Sequence, residues 1–152
     1  MFMRRVDVIN LFNYFTNLKL NKFEQTRDAI MKNFDEINKV TKETNDLIES
    51  KKRDVIGENV QDVQKLAVYR EEYKNASDAD KKLINEKIKN ECAKALELEA
   101  ELFVEIYKIQ MEEVNLNLIK INKDVFVSEC VSADIDITPG DLLIIEHVFE
   151  NE

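Results

Sequence analysis

Apolar residues recur at helical spacing along most of this chain; just past Met111 the spacing shortens to two. Val6, Ile9, Phe12 or Leu11, and Phe15 share one side of a short helix between Arg4 and Thr16. A long second helix is predicted from Lys22, because Asn21 and Glu24 stand at the spacing of a capping box. In that motif each side chain satisfies a backbone amide left open at the helix start. Its stripe is Phe23, Arg27, Ile30, Phe34, Ile37, Thr41, Thr44 and Ile48, in alternating steps of four and three, the pattern of a coiled-coil seam. The seam turns polar from Thr41, Lys51-Lys52-Arg53 sits where cations oppose the negative end of the helix dipole, and Gly57 is the stop. A third helix runs from Val60 through Leu66 and Tyr73 to near Ala76. Ser77-Asp78-Ala79-Asp80 then caps a fourth, whose stripe is Leu83, Ile84, Ile88, Cys92, Ala95, Leu98 or Leu96, Leu102, Phe103 and Ile106, ending near Gln110. The second and fourth helices would each span roughly 40–50 Å, and short connections would pack them antiparallel.

Beyond Met111, Val114, Leu116 and Leu118 point one way while Asn115 and Asn117 point the other, as in a half-buried strand. Ile119 and Ile121 extend it. Val125-Phe126-Val127 supplies a second strand after Asn122-Lys123-Asp124, giving a hairpin, with a helical turn as the alternative. Thr138-Pro139-Gly140-Asp141 opens a final helix with Leu142, Ile145, Val148 and Phe149 on one face. The expected fold class is mainly α: a long antiparallel helix pair, shorter helices, and a small C-terminal β-ribbon plus helix. Residues 1–152 are expected to form a single domain, with 1–110 as helical body and 111–152 as an acidic strand/helix cap. A lone two-stranded ribbon is marginal in water, so it must lie on the body or join its edge to another chain.

Composition narrows this further. Two glycines and one proline are too few for a many-stranded sandwich or barrel, which needs a turn signal every eight to twelve residues. The formal net charge of −9 is concentrated late, with ten acidic residues against two lysines after Gln110. Phosphate binding rests on a basic surface, so no nucleic-acid partner is expected. No run approaches the roughly twenty apolar residues of a membrane span, and the first twenty residues lack a signal-peptide pattern. A soluble, intracellular protein without a membrane partner is the expectation. Cys92 and Cys130 form neither a disulfide framework nor a metal-ligand spacing.

Chemistry-bearing residues are sparse. His147, the single histidine, lies opposite the apolar stripe of the last helix, facing solvent or a partner. Cys130 or Ser128 with His147 could make a nucleophile–base pair, yet no glycine elbow or oxyanion site accompanies them. Asp134 and Asp136, with Asp141 or Glu129, could offer oxygens to a hard cation, but without a calcium-type loop. The glutamates of the fourth helix lack a Glu-x-x-His companion. No catalytic residue, cofactor or metal is therefore expected. Leu143 and Ile144 fall off the main stripe of the last helix, and the ribbon edge is a template for another strand. Val114, Leu116, Leu118, Leu143, Ile144 and His147 are the expected partner-binding residues.

Three stretches carry a resemblance. Val8-Ile9-Asn10-Leu11-Phe12-Asn13, then Lys22-Phe23 through Lys32-Asn33, and Glu113-Val114-Asn115-Leu116 through Ile121 with Ile137-Thr138-Pro139 and the closing helix, cover about half the chain. They resemble an uncharacterised family of small, mostly helical proteins encoded by tailed bacteriophages. The central region departs from that pattern, with a further helix where the family often has a glycine-containing loop. The resemblance implies a phage origin and carries no functional residue over. With no catalytic signature and an unpartnered acidic end, the expected function is that of a non-enzymatic protein acting through protein–protein interaction in the host cytoplasm, with itself as a homo-oligomer or with a host or phage protein. A structural or assembly component of the head or tail of the virion is the alternative.

Overall fold

The computed structural model describes residues 1–150. These form seven α-helices, α1 (Arg5–Thr16), α2 (Arg27–Ile56), α3 (Val60–Asn75), α4 (Asp78–Glu91), α5 (Ala93–Met111), α6 (Lys123–Ser132) and α7 (Pro139–Ile145), with strands β1 (Phe2–Arg4) and β2 (Glu113–Asn115). The fold is mainly α, 76% helical, with one small two-stranded sheet. It divides into two compact units: residues 1–45 with 110–152, and residues 46–109. The acidic residues from Glu112 to Glu150 share a unit with the first forty-five.

In the first unit, Val8, Leu11 and Phe15 from α1 meet Ile30, Ile37 and Val40 from α2 and Ile145 from α7. Phe126 lies at the centre, its ring 5.6 Å from Phe23 and 5.7 Å from Phe149, within the range of favourable tilted aromatic pairs. Of the stripe read along the second helix, Phe23, Ile30, Ile37, Thr41 and Thr44 are buried, while Phe34 and Ile48 are half-buried. Arg27 lies outside it, being exposed.

The start of that helix differs from expectation. Residues 20–22 make a tight 3-10 turn, and α2 begins at Arg27, so the Asn21/Glu24 capping box does not form. The cap comes instead from α6. The Glu129 carboxylate accepts from the Gln25 amide at 2.6 Å, the Thr26 amide at 3.3 Å and the Thr26 hydroxyl at 2.5 Å. A remote anion thus holds the two residues that lead into the longest helix, next to its positive end.

The ribbon is also built differently. β2 pairs antiparallel with β1, placing Met3 opposite Val114, and Leu116 donates to the Met1 carbonyl at 2.8 Å. Val125-Phe126-Val127 is helical, within α6, because the Asn122 side chain accepts from the Val125 amide at 3.0 Å and caps a helix there. The chain's own beginning therefore supplies the second strand, and the expected hairpin is absent. Farther on, Ile121 forms a parallel bridge with Phe149. The Asn33 carboxamide, 1% exposed, takes both backbone groups of Ile119, accepting from its amide at 2.7 Å and donating to its carbonyl at 2.9 Å. Asn33 thereby acts as a one-residue β partner from within a helix.

Two helix ends carry left-handed residues. Gly57 (φ +51°) closes α2 as expected. Asp134 (φ +55°) closes α6 in a Schellman arrangement, with Ile135 donating to the Cys130 carbonyl and Asp134 to that of Val131. The Thr138 capping box forms with both reciprocal bonds, Pro139 in the first helical position and Asp141 in the third.

The second unit has a thinner core. Leu66 of α3 packs against Cys92 and Ala95, with Val63, Tyr69, Ile88 and Leu96 around them. The continuous helix expected from Ser77 is interrupted at Cys92, whose φ of −122° leaves helical geometry where it packs on Leu66. Ion pairs tie the outer faces: Arg70 grips Glu99 with two bonds of 2.6 and 2.7 Å, and Lys65 and Tyr69 both donate to Glu91. Those two hydrogen bonds, from Lys65 first and then Tyr69, hold the Glu91 carboxyl below its usual range.

Candidate functional site: the cleft between α1 and α7

Helix α7 is set on α1 by its own stripe. Ile145 is fully buried and Ile144 half-buried against the same core, which leaves Leu143, one residue back, 66% exposed. A shallow cleft of about 280 Å³ opens beside it. One wall is the first turns of α1, with Arg4, Asp7 and Asn10; the other is Leu143, Ile144, Glu146 and His147. The Arg4 guanidinium donates two bonds to the Asp7 carboxylate, at 2.7 and 3.0 Å, so the polar wall is held in one arrangement. His147 also borders a broader depression with Lys120, Lys123 and Glu150, and Lys120 donates to the His147 carbonyl at 2.9 Å. An apolar knob flanked by fixed charges of both signs suits a polypeptide surface better than a small apolar ligand.

Leu143, Ile144 and His147 thus come together. The other three expected partner-binding residues do not join them. Leu116 is 1% exposed and belongs to the core, and Val114 and Leu118 are half-buried against it. Val114 lies in β2 opposite Met3, and Leu116 and Leu118 follow it onto the same core. Arg4, Asp7 and Asn10 are the lining residues that the sequence reading missed. Their signal is faint: Asp7 three residues after Arg4 is an ion-pair spacing, but nothing local says which helix lies opposite.

The chemical candidates fall elsewhere. Cys130 is fully buried, and burial, aided by the nearby Glu129 charge, pushes its thiol up to about 11. Such a thiol is a poor nucleophile at neutral pH. Glu129 is committed to the start of α2 and Asp141 to the Thr138 box, and among the described residues no cluster of three His, Cys, Asp or Glu side chains could hold a metal. Tyr14 keeps a buried hydroxyl without a hydrogen-bond partner. Burial first, then the proximity of Cys130 and Asp141, pushes its phenol far up, so it stays neutral. No helix among the described residues is long and apolar enough to cross a membrane.

No known protein family matches this chain, and neither a curated protein nor a solved structure does so.

Proposed function

We propose that this is a non-enzymatic protein that works by binding another protein through the α1–α7 cleft. The observation that carries the reading is Leu143, two-thirds exposed between half-buried Leu142 and Ile144, beside the fixed Arg4–Asp7 pair and His147. An apolar side chain next to oriented charges has the anatomy of an interface with an apolar centre and a polar rim. The resemblance of the three sequence stretches to small phage-encoded proteins extends the proposal: the partner would be a host or phage protein in the cytoplasm of an infected cell. A component of the virion head or tail is the second reading, favoured by the same stretches.

The test is affinity capture from infected cells with the wild-type chain and with Leu143→Asp. One defined protein retained by the first and lost by the second is the expected result. Capture unaffected by Leu143→Asp removes the cleft from the proposal, and stoichiometric copies in purified particles would move it to the virion reading.

A further inference from the structure

Helix α5 turns an apolar strip outward in the second unit. Phe103 is 73% exposed, Tyr107 55% and Val104 49%, with exposed Ala100 one turn earlier. Positions 100, 104 and 107 step by four and three, so they form a seam along one side of the helix, with Phe103 on its flank. Buried Ala95, Leu98 and Ile109 occupy a different face, which faces the unit's own core. We propose that this outward seam pairs antiparallel with the same seam of a second copy of the chain, as a weak, reversible dimer.

Charge selects this occupant. Glu101 and Lys108 follow the seam residues Ala100 and Tyr107, seven residues apart, on the flank opposite Phe103. When Val104 is set against the partner's Tyr107, an antiparallel pairing also sets Glu101 beside the partner's Lys108. The two-fold axis repeats that contact, so two unlike-charge pairs form at once. A parallel pairing would put Glu101 and Lys108 of the two copies on opposite sides of the seam, each facing the partner's Leu96 and Phe103 flank, so neither would find an unlike charge. Glu101 has no ion-pair partner among the described residues, and Lys108, 64% exposed, holds only Glu105, which also faces Lys51 at 3.5 Å. Ala100 lets the two backbones approach.

Area sets the strength. If an aromatic side chain presents on the order of 200 Å², Phe103 and Tyr107 leave about 250 Å² uncovered. Adding Val104 and Ala100 brings about 350 Å² per copy, or about 700 Å² for the pair, below the roughly 1,200 Å² of a stable interface. A transient dimer follows, populated at high concentration.

Sedimentation velocity of the full chain from micromolar to about millimolar concentration tests this. A concentration-dependent dimer is expected, lost in the Phe103→Ser/Tyr107→Ser double variant, whose helical circular dichroism should match wild type because both positions are exposed. Glu101→Lys or Lys108→Glu alone should raise the dimer Kd about three- to tenfold, and the two together should restore it. A monomer throughout, or a dimer indifferent to the double serine variant, overturns the proposal. A dimer abolished by Leu143→Asp instead assigns self-association to the α1–α7 cleft. Failure of the combined charge swap to restore binding overturns the antiparallel register.

Discussion

Replacing Glu129 by Gln should loosen the start of α2 and with it the first unit. The carboxylate takes three donors from Gln25 and Thr26, with an exposure of only 9%. Hydrogen bonds to a charged group are worth about 1.5–3 kcal/mol each, while a buried amide left without an acceptor costs about 1–3 kcal/mol. Gln keeps the shape but offers a single acceptor oxygen, and its amide nitrogen must face at least one of these donors. Relief of carboxylate desolvation offsets part of the loss. A net cost of about 2 kcal/mol, roughly 30-fold in the folding equilibrium, is expected near neutral pH. Burial pushes the Glu129 carboxyl up, but the Thr26 hydroxyl and the amides of Gln25, Thr26 and Glu24 together outweigh it, and the net direction is down. A carboxyl held below its ordinary 4.5 stabilises the fold above that value and loses the contribution as pH falls through the lower folded value. The gap between wild type and Glu129→Gln should therefore be constant from pH 7 to about 5 and shrink in stronger acid. Urea unfolding by circular dichroism gives the gap, and hydrogen exchange of the amides of residues 24–33 locates it. A Gln variant within about 0.5 kcal/mol of wild type at pH 7, or a gap undiminished at about pH 3, refutes the capping account.

Asn33→Asp should cost about 3 kcal/mol, because it sets a carboxylate oxygen against the Ile119 carbonyl; Asn33→Ala should cost less, and chemical denaturation ranks the two. Asp134→Gly should raise stability by about 0.5–1 kcal/mol in the same assay, since only the left-handed backbone is relieved. Leu66→Ala should cost about 2–4 kcal/mol and speed exchange in residues 46–109 far more than in the first unit, as read by exchange mass spectrometry. The Cys130 thiol favours its protonated form in the fold. Its stabilising contribution should thus be complete below pH 9 and lost as pH rises through about 11, and Cys130→Ala should flatten that part of the alkaline stability profile.

Much of the architecture was legible where a local signal and the tertiary structure agree. Ser77, Thr138 and Gly57 mark helix ends through chemistry confined to a few neighbouring residues, and each does so in the fold. The switch at Met111 was legible for the same reason, since two-residue alternation needs extended backbone. Where long-range contacts decide, local reading failed. Asn21 and Glu24 have the right spacing for a box, but Glu129, over a hundred residues away, takes the amides that matter. Val125-Phe126-Val127 has strand composition, yet Asn122 caps it into a helix whose Phe126 fills the core. The stripe of the fourth helix takes in Phe103 because residues 102–107 are apolar around most of the α5 circumference. Periodicity cannot choose a face there, and the fold turns Phe103 outward. Of the candidate site, Leu143, Ile144 and His147 were visible as leftovers from the last stripe, whereas Arg4, Asp7 and Asn10 required knowing that α7 settles on α1.

The pairing of β1 with β2 has a consequence for synthesis. Residues Phe2–Arg4 leave a ribosome well before their strand partners, which follow more than a hundred residues later, and Phe149, against which Ile121 is bridged, comes later still. Contacts of such separation are slow to form because the intervening chain must be closed into a loop beforehand. The segment from Asp46 to Ile109 meets no such delay; its helices contact near neighbours and can form while translation continues. Until translation delivers α7, the apolar side of α1 has only α2 to cover it, and the part that Ile145 meets stays open. During that interval the chain depends on whatever shields α1 for it.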